Sequence, residues 1–459
     1  MSFEAHDRAS MRASSDLDPK VQKLRDELWN SASKHVVRHA GDYDPYLICK
    51  AKGSWIWDDS GRPILDFVSG QICSTVGHNN PEIIQTIEDC CRNKAIHLFS
   101  WALSPSVIEF CSALSDMLPD GLDMVLPLST GGESNEAALR SAKLTTGRWE
   151  VVGLNASWHG CTGGAAANTY AGARRGYGPV QPGTLTIPAP DSYRCPIRHC
   201  DGEGDMTCLD FGFEEVDKQS VGALAACIAE PIISAGGMIT PPKDYFKRLK
   251  QKCEEREMVL IYDEAQTGMA RTGKNFAFEH FEQPPDILTL SKTLSGGIPI
   301  SATVMSREME QALFDRGFVH VTSHVCDPLP AAVALTVIKI ILRDKLAERA
   351  KKMGNYLRKG LEKLHQSYEE LGDLRGMGLL QGVQIVKDRN TKEPDPEFGR
   401  AVTVRCLELG LGMNIVSMKG MASVWRLAPP LTVTESEIDL ALEILDEAIL
   451  DVRNVTARH

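Results

Sequence analysis

The sequence predicts an α/β protein: a large, mostly parallel sheet covered by helices on both faces, followed by a smaller α+β unit. Two observations carry this. Between residues 76 and 345, short apolar runs alternate with helical patterns, and beyond residue 346 a charged helix leads into paired strands. The chain has 459 residues, 43% hydrophobic and 24% charged, enough to bury a large core without disulfides or structural metals.

Residues 1–35 are polar and helix-prone and read as an arm. Residues 54–67 (SWIWDDSGRPILDF) read as a hairpin turning on Asp59-Ser60-Gly61-Arg62. Six apolar runs, at 124–128, 150–154, 224–229, 258–262, 286–290 and 300–305, have the length and continuity of buried parallel strands. Residues 346–365 (LAERAKKMGNYLRKGLEKLH) form a charged helix, 372–386 read as strand pairs, and 434–450 form a last amphipathic helix. The division expected is an N-terminal arm and segment (1–75), a large domain (76–345) and a small C-terminal domain (346–459).

Composition narrows the function classes. A net charge of −11 argues against non-specific binding to nucleic acid or anionic membranes. The apolar stretch from Ala331 to Leu342 carries Lys339. It is shorter than the roughly 20 residues that span a bilayer. Residues 1–20 lack a hydrophobic signal region and include Glu4, Asp7, Asp16 and Asp18, so a cytoplasmic location is expected. The 13 cysteines, an odd number, read as reduced thiols. Cys195, Cys200 and Cys208 cluster with His199 but match no zinc spacing, and read as an ordinary surface loop.

Four segments carry chemistry. In MVLIYDEAQTGMARTG, an apolar strand runs into Asp263 at its carboxyl end, where parallel sheets bind ligands. In DILTLSKTLSGGIP, a strand is followed by Lys292 beside small residues, where desolvation would yield a neutral amine able to form a Schiff base. In LSTGGESNEAALR, Gly131 and Gly132 open a helix, and their N–H groups could cradle a phosphate. In ASWHGCT, Trp158 and His159 lie on a turn after a strand, and Trp can stack on a flat ring. Each segment alone has a plainer reading: a cap or surface pair for Asp263, a snorkelling Lys292, a simple strand-to-helix turn, a core Trp158. No Walker loop or G-x-G-x-x-G fingerprint is present, which counts against nucleotide chemistry. Taken together, a phosphate cradle, an aromatic lid, a strand-end Asp and a strand-end Lys make the set that pyridoxal phosphate needs.

The ordered motifs Ser-Thr-Gly-Gly-Glu-Ser-Asn-Glu-Ala (129–137), Trp-His-Gly (158–160), Asp-Glu-Ala-Gln-Thr-Gly (263–268) and Ser-Lys-Thr-Leu (291–294) resemble those of class III aminotransferases of pyridoxal phosphate fold type I. The likeness runs over residues 45 to 450. Within the class it is similar to the 2,2-dialkylglycine decarboxylase branch, on the strength of Ser69-Gly70-Gln71, Trp158 and the Trp425-Arg426-Leu-Ala-Pro-Pro stretch.

The resemblance implies roles, residue by residue. Lys292 would be the Schiff-base lysine and proton shuttle, Asp263 the partner of the pyridine nitrogen, and Gln266 that of the ring phenolic oxygen. Gly131 and Gly132 would bind phosphate, Glu230 would lie near the ring, Gln71 would contact the departing carboxylate and Arg426 would grip the substrate carboxylate. Ser323 would reach the phosphate of a neighbouring subunit, implying a homodimer or homotetramer with shared sites. Leu98, Ser100, Ser323, Val325 and Asp327 would form an alkali-cation (potassium) site, an oxygen shell suited to a hard monovalent ion. Ser115, Leu118, Pro119 and Leu122 would form a sodium site.

Ala235 and Val321 depart from the decarboxylase pattern and put its substrate in question. The expected reaction is decarboxylation-dependent transamination of a 2,2-dialkylglycine, with amino transfer to a 2-oxo acid such as pyruvate. The alternatives are an ordinary class III aminotransferase, acting on a substrate with a Cα hydrogen, and a non-catalytic scaffold.

Overall fold

The computed structural model describes residues 8–14, 17–39, 41–172, 174, 176–195, 197, 206–418 and 422–456. His199 and Cys200 of the cysteine-rich loop lie outside them.

Two helices, Arg8–Met11 and Pro19–His35, come first among the described residues, and three strands follow, β1 (Ile48–Lys52), β2 (Trp55–Asp58) and β3 (Pro63–Asp66). The β2–β3 turn is held by Asp58, whose Oδ1 accepts from the backbone N–H groups of Ser60 and Arg62, and Gly61 sits at φ +82°.

The large sheet has seven strands: β4 (Met124–Leu128), β5 (Glu150–Leu154), β6 (Thr184–Ile187), β7 (Leu224–Ala229), β8 (Val259–Asp263), β9 (Ile287–Leu290) and β10 (Ser301–Met305). Its order is β4-β10-β9-β8-β7-β5-β6. The β6–β5, β5–β7, β7–β8 and β8–β9 pairs are parallel, and β10 runs antiparallel to both β9 and β4. Every residue of β5, β7, β8, β9 and β10 is buried, which is why these strands read as unbroken apolar runs rather than alternating ones. Five of the six expected runs fall on these strands and the sixth, 124–128, on the partly buried β4. β6 went unread because its sequence, Thr-Leu-Thr-Ile, at the sheet edge is only partly buried and half polar.

Helices cover both faces. Gly131–Thr146 follows β4 directly, and Pro328–Arg343, the longest apolar stretch, packs on the helix Pro105–Ser115. No described helix is long and apolar enough to cross a membrane.

The C-terminal part contains helix Leu346–Ser367, the strands β11 (Leu371–Met377), β12 (Leu380–Asp388), β13 (Glu393–Pro394), β14 (Leu411–Gly412), β15 (Asn414–Met418) and β16 (Ala422–Leu427), and the last helix Glu435–Thr456. Its sheet has the order β11-β12-β16-β15, with β13 on β12. β14 pairs in parallel with β3, so the N-terminal and C-terminal segments share one sheet. Separately, the Ala428 N–H, just past β16, donates to the Phe67 carbonyl, just past β3, at 2.7 Å, and Gln71 meets Arg426 beside that link.

Candidate functional site

Strand ends bring the site together. Asp263 is the last residue of β8 and lies almost wholly out of solvent. Its Oδ2 accepts from Asn135 Nδ2 at 2.7 Å and from His159 Nδ1 at 2.9 Å, and its Oδ1 accepts from the Ala265 N–H at 3.0 Å. Burial alone would raise this carboxyl, but the imidazole, the backbone N–H and the Asn135 amide outweigh burial and hold it below the usual carboxylate range.

Asn135 is the residue that sequence reasoning passed over. It lies in the first turns of helix Gly131–Thr146, donates also to the His159 carbonyl at 2.8 Å, and accepts from Thr289 Oγ1 on β9 at 2.7 Å. One side chain therefore ties together a helix, two strands and the turn after β5. It stood in the quoted motif, four residues beyond Gly131, which is one helical turn and the same face.

Lys292 follows β9 by two residues at φ +27°, a strained backbone for a residue with a side chain. Its amine makes no hydrogen bond or ion pair with a described residue. Burial pushes its pKa below the ordinary lysine value, against the pull of Asp263 and with help from the Arg426 charge. Asp263 and Lys292 thus lie within electrostatic reach of each other.

Glu230, just past β7, accepts from the N–H groups of Trp158 at 2.8 Å and Ser234 at 3.2 Å. Burial pushes it up to about 7, although the nearby His159 opposes the shift.

Arg426 is the last arm of the site. Its Nη1 donates to Gln266 Oε1 at 2.9 Å and to Ser234 Oγ at 3.3 Å, and its Nη2 donates to Gln71 Oε1 at 3.3 Å. Ser234 Oγ donates to the same Gln266 oxygen at 2.9 Å. All these acceptors are neutral. Burial lowers the Arg426 pKa to about 10, with Glu230 opposing.

At the other end, Thr130 caps the helix Gly131–Thr146 by accepting the Glu133 N–H. The start of this helix is crowded. A Cβ on Gly160 would stand 2.6 Å from Gly132 Cα, and one on Gly132 would stand 3.2 Å from Thr162 Oγ1. Trp158 lines a cavity of about 680 Å³ with Gly160, Thr169 and Tyr177.

These residues fit pyridoxal phosphate. An unpartnered amine, an ionised carboxylate fixed by three donors and a helix start of two glycines converge. The buried His159 Nε2 also has no hydrogen-bond partner among the described residues.

The expected alkali-cation set looks different. Its only carboxylate, Asp327, has both oxygens taken: Oδ1 by His97 Nδ1 at 2.5 Å and Oδ2 by His324 Nδ1 at 2.6 Å. Both histidines neighbour the expected ligands in sequence. Ser100 Oγ donates to the Thr322 carbonyl at 3.1 Å, and Val325 is buried among apolar side chains. In the expected sodium set, the Ser115 and Pro119 carbonyls accept turn hydrogen bonds from the Leu118 and Leu122 N–H groups. Ser323 is exposed, on the loop before helix Pro328–Arg343.

Comparison with known proteins places this architecture. The family model described as "Aminotransferase class-III" matches residues 37–449. A Schizosaccharomyces pombe protein described as an uncharacterized aminotransferase is 50% identical over 424 residues, covering 92% of this chain and 94% of its own. A leucine/methionine racemase of Thermococcus litoralis is 35% identical, covering 89% of this chain and 92% of its own. The crystal structure of a Bacillus anthracis aminotransferase superposes with a TM-score of 0.88 at 29% identity, covering 94% of this chain and 99% of that one. These likenesses support the aminotransferase expectation and the fold. None of these three singles out the dialkylglycine decarboxylase branch, whose resemblance rested on a few residues around Gln71, Trp158 and Arg426.

Proposed function

The chain belongs to the class-III aminotransferases, and we propose that it transfers an amino group between an α-amino acid bearing a Cα hydrogen and a 2-oxo acid, with pyridoxal phosphate as cofactor. One observation carries the reading: the unpartnered amine of Lys292 shares a site with a buried guanidinium, Arg426, whose described hydrogen-bond partners are all neutral oxygens.

Bound pyridoxal phosphate supplies an electron sink for the pair released at Cα. The residues of the chain do the rest. The N–H groups of Gly131 and Gly132 would hold the phosphate at the positive end of their helix. Asp263, kept ionised, would hold a proton on the pyridine nitrogen, and His159 and Asn135 fix the orientation of its carboxylate. Gln266 gives its oxygen to Arg426 and Ser234, which leaves its amide N–H for the ring phenolic oxygen. Trp158 would offer its flat face to the ring. Lys292, biased towards the neutral amine by burial, takes the proton from Cα and returns it. Arg426 grips the α-carboxylate through paired N–H groups. An arriving carboxylate replaces neutral acceptors on Arg426 rather than breaking an ion pair, so one arginine serves both the amino acid and the 2-oxo acid.

The same reading makes the protein a homodimer in which Ser323 of one copy approaches the phosphate of the other. Exposed Ile96, Phe99, Trp101 and Leu103 adjoin His97 and so the 323–327 loop, and Trp101 keeps 82% of its surface in solvent. Such an apolar patch suits a protein partner.

A second reading, decarboxylation of a 2,2-dialkylglycine, draws on one contact, the Gln71–Arg426 hydrogen bond, which sets an amide beside the guanidinium read as the carboxylate binder. One experiment separates the two. The cofactor-loaded enzyme is given a panel of α-amino acids with 2-oxoglutarate or pyruvate and, separately, 2-aminoisobutyrate with pyruvate. Transfer from amino acids with no CO2 from 2-aminoisobutyrate is expected. Acetone and CO2 from 2-aminoisobutyrate would overturn the first reading, and no transfer from any donor would sink both.

A further inference from the structure

Arg271 is among the largest fully buried side chains of the molecule, at 0% exposure, and its charge faces no carboxylate among the described residues. Its Nη1 donates to the carbonyls of Leu379 and Pro429, while its Nε and Nη2 have no partner among the described residues. Burial pushes its pKa down to about 9. A buried, unpaired guanidinium is costly to keep, so its placement calls for a reason.

The two carbonyls identify one. Leu379 sits in the turn joining β11 to β12, and Pro429 follows β16 two residues after its end. β12 and β16 are hydrogen-bonded neighbours, with Gly382 opposite Arg426 and Gln381 opposite Leu427. Arg271 therefore clasps both strands beside the residue that carries the site's guanidinium. The contact is reciprocal, since the Leu379 N–H donates to the Arg271 carbonyl at 3.0 Å. The fit is close: a Cβ on Gly378 would stand 2.4 Å from the carbonyl carbon of Thr272. Ahead of Arg271, Met269 and Ala270 hold φ +54° and +71°, a turn that residues with side chains adopt only under constraint. Cys73 lies close enough to feel both Arg271 and Lys292, so the clasp adjoins the site.

The segment 263–271 thus touches the site at three places. Asp263 ends β8, Gln266 bonds Arg426 directly, and Arg271 bonds the chain just beyond Arg426. We propose that Arg271 is a positioning residue that sets Arg426 against Gln266 by holding the ends of β12 and β16 to the large domain, so that it determines affinity for the substrate carboxylate without touching substrate. This rests on the reading that Arg426 binds that carboxylate.

The test uses the cofactor-loaded full chain with Arg271→Lys, Arg271→Met and Arg426→Gln. Butyrate, which carries a carboxylate but no reacting amine or ketone, is titrated by calorimetry, with butyramide as the uncharged control. Arg426→Gln should abolish the preference for butyrate over butyramide. Arg271→Met should weaken butyrate binding at least tenfold with butyramide unaffected, and Arg271→Lys, which keeps the charge and can reach one carbonyl, should fall between. In turnover, KM for a 2-oxo acid should rise at least tenfold in Arg271→Met while kcat changes less than threefold. Butyrate binding lost on Arg426→Gln but unchanged in both Arg271 variants would overturn the positioning role alone. Butyrate binding indifferent to Arg426→Gln would overturn the carboxylate reading and this role with it. If Arg271→Met does not fold, Arg271→Lys carries the same comparison, and wild-type affinity in it overturns the proposal.

Discussion

Gln266 and Arg426 meet through a single oxygen: Arg426 Nη1 and Ser234 Oγ both donate to Gln266 Oε1, each at 2.9 Å. The contact joins the end of a strand in the large sheet to a strand of the C-terminal sheet, and with it the cofactor side of the site to the carboxylate side. Every hydrogen-bond acceptor of the guanidinium among the described residues is neutral, so the charge is held ready for an anion.

Removing that charge should act on binding first. In Arg426→Gln, the loss of a paired, charge-assisted contact worth about 1.5–3 kcal/mol should raise KM for a 2-oxo acid by roughly 10- to 150-fold. Initial rates over a range of 2-oxo acid concentration measure it, and an unchanged KM would contradict the assignment.

Asn135→Ala strips Asp263 and the His159 carbonyl of a donor and leaves Thr289 Oγ1 only the longer contact to the Tyr262 carbonyl at 3.4 Å. The variant should lose about 1–3 kcal/mol of stability. Because the Asn135 amide is one of the groups that hold the Asp263 carboxyl down, the acid limb of the pH–rate profile should move to higher pH. Denaturant unfolding and rates from pH 5 to 9 would show both. A stable variant with an unmoved acid limb would count against the network.

Glu264 tests the buried charge away from the reacting groups. Its oxygens accept from the N–H groups of Ala277 and Phe278 and from Thr267 Oγ1. Burial nonetheless pushes it up from 4.5 to about 7. Between those values the folded chain holds a proton that the unfolded chain has released, so stability falls as pH rises through the window. Glu264→Gln has no such proton to lose. Measured by urea unfolding at pH 5 and pH 8, the wild type should lose up to about 3 kcal/mol relative to the variant. Parallel stability curves would show that the three donors keep this carboxyl ionised throughout.

Much of this was legible in the sequence because parallel strands buried on both faces must be continuous apolar runs, and a polar residue at their carboxyl ends then stands out. Asp263, Lys292 and the Gly131-Gly132 helix start all fell on such boundaries. β6, a short edge strand of mixed polarity, did not stand out. Asn135 and Ser234 carried no such signal: each is a small polar residue whose importance lies in what faces it, from another element far along the chain.

The chain by itself determined the large sheet, its helix layers and the strand ends on which the site is built, since these follow from local periodicity and burial. Tertiary structure alone decided the partnerships. The bond from the Ala428 N–H to the Phe67 carbonyl joins the chain beyond β16 to the chain beyond β3 where Gln71 meets Arg426, and Asn135 meets Asp263 across a helix and a strand. It also sets the imidazoles of His97 and His324 against the two oxygens of Asp327, a pairing that residue spacing alone does not announce. Hydrogen-bond partners distant in sequence are selected by geometry after folding, and residue type and spacing along the chain do not encode that geometry.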